Sequence, residues 1–174
     1  MIALHGVPTL NTERLRLRGF QPADWPRFSQ YFCSDRAIFT GGPMTPKTAW
    51  RHFATNIGHW AVHGFGMFVV TRQDDNAPLG MVGHWYPHGW AEREVGWVLF
   101  DKESEGKGIA REAAEACVTH AYQSLGWDTV VSYIAPENAA SIKLAERLGA
   151  TLDEAAPKPD TSSTCLVYRH PRHT

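Results

Sequence analysis

The chain has 174 residues, enough for one domain with a substantial buried core, and 43% of them are hydrophobic against 20% charged. A formal charge of −1 gives no basic footprint for nucleic acid or an anionic membrane, and no apolar run approaches the roughly 20 residues of a spanning helix. Three scattered cysteines without C-x-x-C spacing, and an N-terminus without a basic-then-apolar leader, point to a reduced, cytoplasmic protein.

Residues 13–20 alternate Arg14, Arg16 and Arg18 with Leu15 and Leu17, a period of two that predicts a strand with one buried face. Asp24 then reads as the cap of a helix carrying Trp25, Phe28 and Phe32 on one side. Residues 34–43 are rich in turn formers. Thr45-Pro46 is an N-cap followed by proline at the first helical position. The helix after it is expected to bury Trp50, Phe53, Ile57 and Trp60 and to end near Gly64. Residues 67–71, 79–86 and 91–99 read as three strands joined by turns at 74–78 and 87–90, an antiparallel meander.

Residues 97–110 run from the end of a strand, through a polar loop, into Gly106-Lys107-Gly108 and a helix that reaches about Leu125. Ala113, Ala114, Cys117, Val118 and Ala121 fall on one face of that helix, and their small size lets it lie close to a sheet. The apolar run 129–134 reads as a strand buried on both faces, so strand, helix and strand form one right-handed parallel crossover. Pro136-Glu137-Asn138 opens another helix with Ser141, Leu144, Ala145 and Leu148 on one face, stopped by Gly149. Residues 150–153 and 163–169 can close the sheet. No repeat or boundary interrupts the chain, which reads as a single domain over 1–174 with its core at about 12–169. The fold class is α+β: a mixed, mostly antiparallel central sheet with one βαβ crossover and flanking helices. Its strands splay where the meander's last strand meets the crossover's second strand, and a ligand can enter there.

The junction at 97–110 aims free backbone N–H groups at one point, and the helix dipole adds partial positive charge, so it suits a phosphate. A glycine there also serves an ordinary strand-to-helix turn needing positive φ. Two phosphate motifs fail on residues. A Walker A loop needs a Lys-Ser/Thr pair after its last glycine, but Ile109 follows Gly108; a dinucleotide fingerprint needs a third glycine or alanine where Arg111 stands.

The segment Glu105-Gly106-Lys107-Gly108-Ile109-Ala110 resembles the Gln/Arg-x-x-Gly-x-Gly/Ala signature of the GNAT (Gcn5-related) N-acetyltransferases. The strand 91–99, the helix start Glu112-Ala113, and the pairing of Asn138-Ala139-Ala140-Ser141 with Glu146-Arg147-Leu148-Gly149-Ala150 are similar to that family in the same order. The opening 12–18 is similar to its RimJ/RimL branch, and the resemblance covers about 12–169. It implies an acetyl-CoA-dependent N-acetyltransferase, with acetyl-CoA as co-substrate and no metal. The loop backbone of Gly106, Lys107, Gly108, Ile109 and Ala110 would hold the pyrophosphate, Asn138 the pantetheine arm, and the backbone of Trp97, Val98 and Leu99 the thioester oxygen. Two positions depart from the pattern. Glu105 stands where Gln or Arg is usual and is expected to face solvent or pair with Lys102 or Lys107, and Ala145 stands where many members carry a tyrosine acid.

Acetyl transfer to an amine needs a neutral amine, a polarised thioester and a proton for the leaving thiolate. Glu94 is the candidate base, with Glu92 as the alternative; the resemblance implies Ser141 as hydrogen-bond or proton donor to the thiolate. His84, Trp85 and Tyr86 are candidate walls of an aromatic acceptor pocket, and His84 could assist proton removal. The three cysteines read as structural, which favours direct transfer in a ternary complex. The expected acceptor is a small-molecule or peptide primary amine, with no nucleic acid or membrane partner, and the protein a monomer or homodimer. The other reading is a non-catalytic CoA-binding regulatory module.

Overall fold

In the computed structural model, which describes residues 6–160 and 164–172, eight strands share one sheet. They are β1 (Leu10–Asn11), β2 (Leu15–Arg18), β3 (Met67–Arg72), β4 (Gly80–Trp85), β5 (Glu94–Leu99), β6 (Val131–Ile134), β7 (Thr151–Leu152) and β8 (Leu166–Arg169), in the order β1-β2-β3-β4-β5-β6-β8-β7. Only β5–β6 is parallel. The helices are α1 (Trp25–Phe32), α2 (Pro46–His63), α3 (Ile109–Gln123) and α4 (Ala139–Arg147). The α+β class, the meander β3-β4-β5 and the crossover β5-α3-β6 stand as expected. The first residue of the expected last strand, Ser163, lies outside the described residues. Among the described residues no helix is long and apolar enough to cross a membrane.

Alternation along the strands builds a core on each face of the sheet. Met67, Met81, Val98 and Phe100 pack with Phe28, Phe32 and Phe53 of α1 and α2. Their neighbours Phe68, Val70, Val82 and Val95 pack with Ala113, Ala114, Cys117 and Val118 of α3. The sheet thus separates two halves, and whatever lies between β5 and β6 can be reached from both.

Two expectations about the helices are corrected. Trp50 is 53% exposed and packs edge-on against Trp25 at 4.9 Å. The Thr45 cap, whose hydroxyl accepts from Thr48 N–H, sets a helical phase that buries Ala49, Phe53, Asn56 and Trp60 and leaves Trp50 one position round the helix. Asp24 does not cap α1 with its side chain. Its carboxylate turns back to a two-bond pair with the buried Arg18 guanidinium, at 2.8 and 2.7 Å, and accepts from Gln21 N–H at 2.7 Å. Arg18 also donates to Asn76 Oδ1 and the Asn76 carbonyl. Asp24→Ala is expected to cost about 3–5 kcal/mol, because a buried guanidinium then loses its counter-charge. A denaturant midpoint within error of wild type would show that the pair contributes nothing net.

Candidate active site

β5 and β6 hold together for one register pair, Glu94 opposite Val131, where Val131 N–H donates to Arg93 O at 3.2 Å. Immediately beyond it, side chains take over from the backbone. The Ser132 hydroxyl donates to Val95 O at 2.6 Å, and Tyr133 N–H reaches the Glu94 carboxylate at 3.4 Å. With those groups satisfied by side chains the strands part, and the splay begins at Glu94.

Pairing parity says which amides face the gap. His84 N–H donates to Gly66 O, so Gly80, Val82 and His84 bond toward β3 while Met81, Gly83 and Trp85 bond toward β5. Their partners Val98, Gly96 and Glu94 are therefore committed to β4, and the amides of Trp97 and Leu99 point into the gap. Val98 offers its side chain there rather than its N–H.

Beyond the C-terminal end of β5 lies the glycine loop. Gly106 and Gly108 have φ of 70° and 75°, a left-handed region that glycine enters freely, and Gly108 caps α3. The first helical bond is Glu112 N–H to Gly108 O, and the amides of residues 106–111 have no acceptor among the described residues. Six consecutive unsatisfied donors at a helix N-terminus form an anion cradle. Arg14 braces it: one guanidinium nitrogen donates to Lys107 O at 3.1 Å and another to Glu112 at 2.6 Å. Glu105 pairs with neither Lys102 nor Lys107. The short turn at Lys102–Ser104 aims it at Arg36, 2.7 Å away. Gly108→Val is expected to weaken binding of CoA at least tenfold. Valine at φ 75° is strained by about 1–3 kcal/mol, and its Cβ would lie 3.3 Å from the Arg14 guanidinium. Calorimetric titration with CoA checks this, and unchanged affinity would place the pyrophosphate elsewhere.

A cavity of about 620 Å³ opens at the other end of the splay, with Trp85, Glu94, Trp97, Val98, Asn138 and Ser141 in its wall. Glu94 is half-buried and accepts from the Trp90 indole N–H at 2.7 Å. Burial pushes its carboxyl up to about 7, against the pull of the hydrogen bonds from Trp90 and Tyr133 N–H. Glu92 is committed to a two-bond pair with Arg169 at 2.8 and 2.9 Å and is not in the cavity wall. Asn138 caps α4, its Oδ1 accepting from Ser141 N–H at 3.2 Å, which leaves its amide donors available. The Ser141 hydroxyl accepts from the Trp97 indole N–H at 3.1 Å, so its own proton is free for another acceptor.

His84 and Tyr86 are corrected. His84 is fully buried beneath α3, with Nε2 3.0 Å from Cys117 O, and burial lowers its pKa to about 3, partly opposed by that hydrogen bond. Tyr86 packs against the α3-side core, away from the cavity. Of the three only Trp85 reaches the cavity, because alternation on β4 sends its even-numbered residues to the opposite face. Burial raises the Cys117 thiol well above its usual range. Trp90, from the same aromatic cluster, lies in the cavity wall, as do Cys165, Tyr133, His52 and Asn56, which the sequence reading did not place there. Among the described residues no three His, Cys, Asp or Glu side chains gather as a metal site.

The mixed sheet is split between two parallel strands, with an anion cradle at one end and the half-buried Glu94 carboxylate at the other, a layout that suits a transferase acting on an anionic donor. Residues 14–151 match the family model of the acetyltransferase (GNAT) domain, and the chain belongs to that family. Its structure is similar to an acetyltransferase from Agrobacterium tumefaciens strain C58, with a TM-score of 0.90 and 34% identity over 99% of each chain. It is 25% identical over 142 residues to YnaD, an uncharacterized N-acetyltransferase of Bacillus subtilis, covering 80% of this chain and 81% of that one. The fold is also shared with RimL, the ribosomal L7/L12 α-N-protein acetyltransferase in complex with coenzyme A, at a TM-score of 0.71 and 19% identity over 94% and 97% of the two chains. The protein is an acetyltransferase.

Proposed function

We propose that this enzyme moves the acetyl group of acetyl-CoA onto a primary amine by direct transfer in a ternary complex. One observation carries the reading. The Glu94 carboxylate, held by the Trp90 indole, sits in the cavity wall where the strands part, and its burial raises its pKa. The six acceptor-free amides at 106–111 fit the pyrophosphate of CoA, and acetyl-CoA supplies an activated thioester. The chain supplies the rest. Trp97 and Leu99 N–H groups face the gap, where they can polarise the thioester oxygen. Glu94 takes the proton from the ammonium. An ordinary glutamate would face a mismatch of about 6 pK units with an alkylammonium; raising it from 4.5 to about 7 removes about 3 kcal/mol of that uphill step. Ser141, its oxygen held by the Trp97 indole, donates to the departing thiolate. That assignment also meets the departure at Ala145, which is fully buried against Ile134, Ala150 and Tyr168 and can donate nothing.

The test is release of free thiol from acetyl-CoA with a panel of primary amines and peptides with free N-termini. Amine-dependent release supports the reading. Tight binding of acetyl-CoA without turnover on a broad panel favours the regulatory module instead.

A further inference from the structure

The acceptor half of the cavity has a composition that selects among amines. Its wall carries Phe32, Phe39, Met44, Met67, Met81 and the indoles of Trp85 and Trp90. The two indoles are fixed before any ligand arrives. Trp85 stacks on His59 at 4.7 Å and 15°, and Trp90 is tied to Glu94 through its N–H. Flat π-faces and thioethers favour an aromatic or bulky apolar body over a polar one. The charged residues in the wall are two carboxylates, Glu94 and the exposed Glu137 beside Asn138; no lysine or arginine lines the cavity among the described residues. His52 does not replace one, since burial lowers its pKa and keeps the ring neutral.

We infer that the acceptor is a small primary monoamine with an aromatic or bulky apolar body and no carboxylate beside its amino group. This rests on the amine acetylation proposed above and narrows it. An amino acid would bring its carboxylate next to Glu94, with no cation to balance two like charges in a partly dry site. A diamine would bring its second ammonium among Met44, Met67 and Met81, where the Asn56 amide oxygen stands without a partner but carries no full charge to pair with it. A peptide would bring backbone N–H and C=O groups to an apolar wall that satisfies few of them.

The experiment compares kcat/KM at saturating acetyl-CoA for 2-phenylethylamine, phenylalanine, 1,5-diaminopentane and a tetrapeptide beginning with phenylalanine. Phenylethylamine is expected to exceed phenylalanine at least 100-fold and the other two at least tenfold. Met44→Arg, at a half-buried wall position, is expected to narrow the phenylethylamine-to-phenylalanine ratio at least tenfold by giving the carboxylate a partner. The wild-type comparison decides even if that variant folds poorly. Equal or better turnover of phenylalanine, the diamine or the peptide overturns the inference and leaves amine acetylation standing. No turnover of any amine by protein that binds acetyl-CoA overturns both.

Discussion

Glu94→Gln is expected to lower kcat/KM for amine acetylation by about 10²–10⁴-fold, the usual contribution of a positioned base, while affinity for acetyl-CoA stays within twofold. Glu94 accepts from Trp90 and Tyr133 N–H on its two different oxygens, so glutamine keeps its single oxygen on the closer Trp90 indole and turns its NH2 toward the 3.4 Å contact with Tyr133 N–H, a small local change in the wall. What disappears is a group able to take a proton. The wild-type rate should rise through an acid limb near 7, where the carboxyl ionises, and the variant should lack that limb. The same substitution has an opposite effect on stability. With the folded carboxyl raised from 4.5 to about 7, the native state holds a proton that the unfolded chain releases between those values. Wild-type stability therefore falls as pH rises through that window, by at most about 3 kcal/mol above pH 7. Glu94→Gln removes this cost, so its melting temperature at pH 8 should exceed that of wild type. A variant with wild-type rates and an unchanged acid limb would remove Glu94 from the chemistry.

The candidate loop and cap residues were legible in the sequence because their spacing is local. Gly106 and Gly108 sit at a strand-to-helix junction, and Asn138 and Ser141 form a cap and first turn. What surrounds them was not legible, because it comes from distant elements. Glu105 meets Arg36, 69 positions away in the chain, and the Glu94 carboxylate is held by Trp90 in a turn and by Tyr133 on β6. The strand reading did contain a signal about His84, Trp85 and Tyr86. A period of two cannot send three consecutive side chains into one pocket. It could not say which face held the pocket, because β4 is buried on both sides and its hydrophobic pattern does not alternate. Helix α2 shows the same limit: Trp50 and Phe53 both suit a buried face, and only the phase fixed by Thr45 decides between them.

His84 makes the second large effect, and it runs against Glu94. The ring is fully buried among Phe65, Phe68, His120 and Trp127, and Nδ1 has no hydrogen-bond partner. Burial lowers its pKa from 6.5 to about 3, so between those values the unfolded chain binds a proton that the native state refuses. The stability that His84 contributes is complete above pH 6.5 and is lost as pH falls toward 3, up to about 5 kcal/mol. That is comparable with the whole stability of a marginal domain. Burial lowers the pKa of neighbouring His120 as well, which adds in the same direction. From pH 7 down to 4.5, Glu94 regains at most about 3 kcal/mol while His84 loses about as much, so these two contributions nearly cancel in wild type. Each variant should uncover the other slope. Glu94→Gln should lose stability steadily below pH 6.5, and His84→Leu should gain stability between pH 7 and 4.5. Unfolding free energies from urea titrations at pH 8, 6.5, 5 and 4 read the slopes directly, independent of any fixed packing cost of the leucine. Parallel curves for wild type and His84→Leu would show that the buried imidazole is not the group that acid attacks.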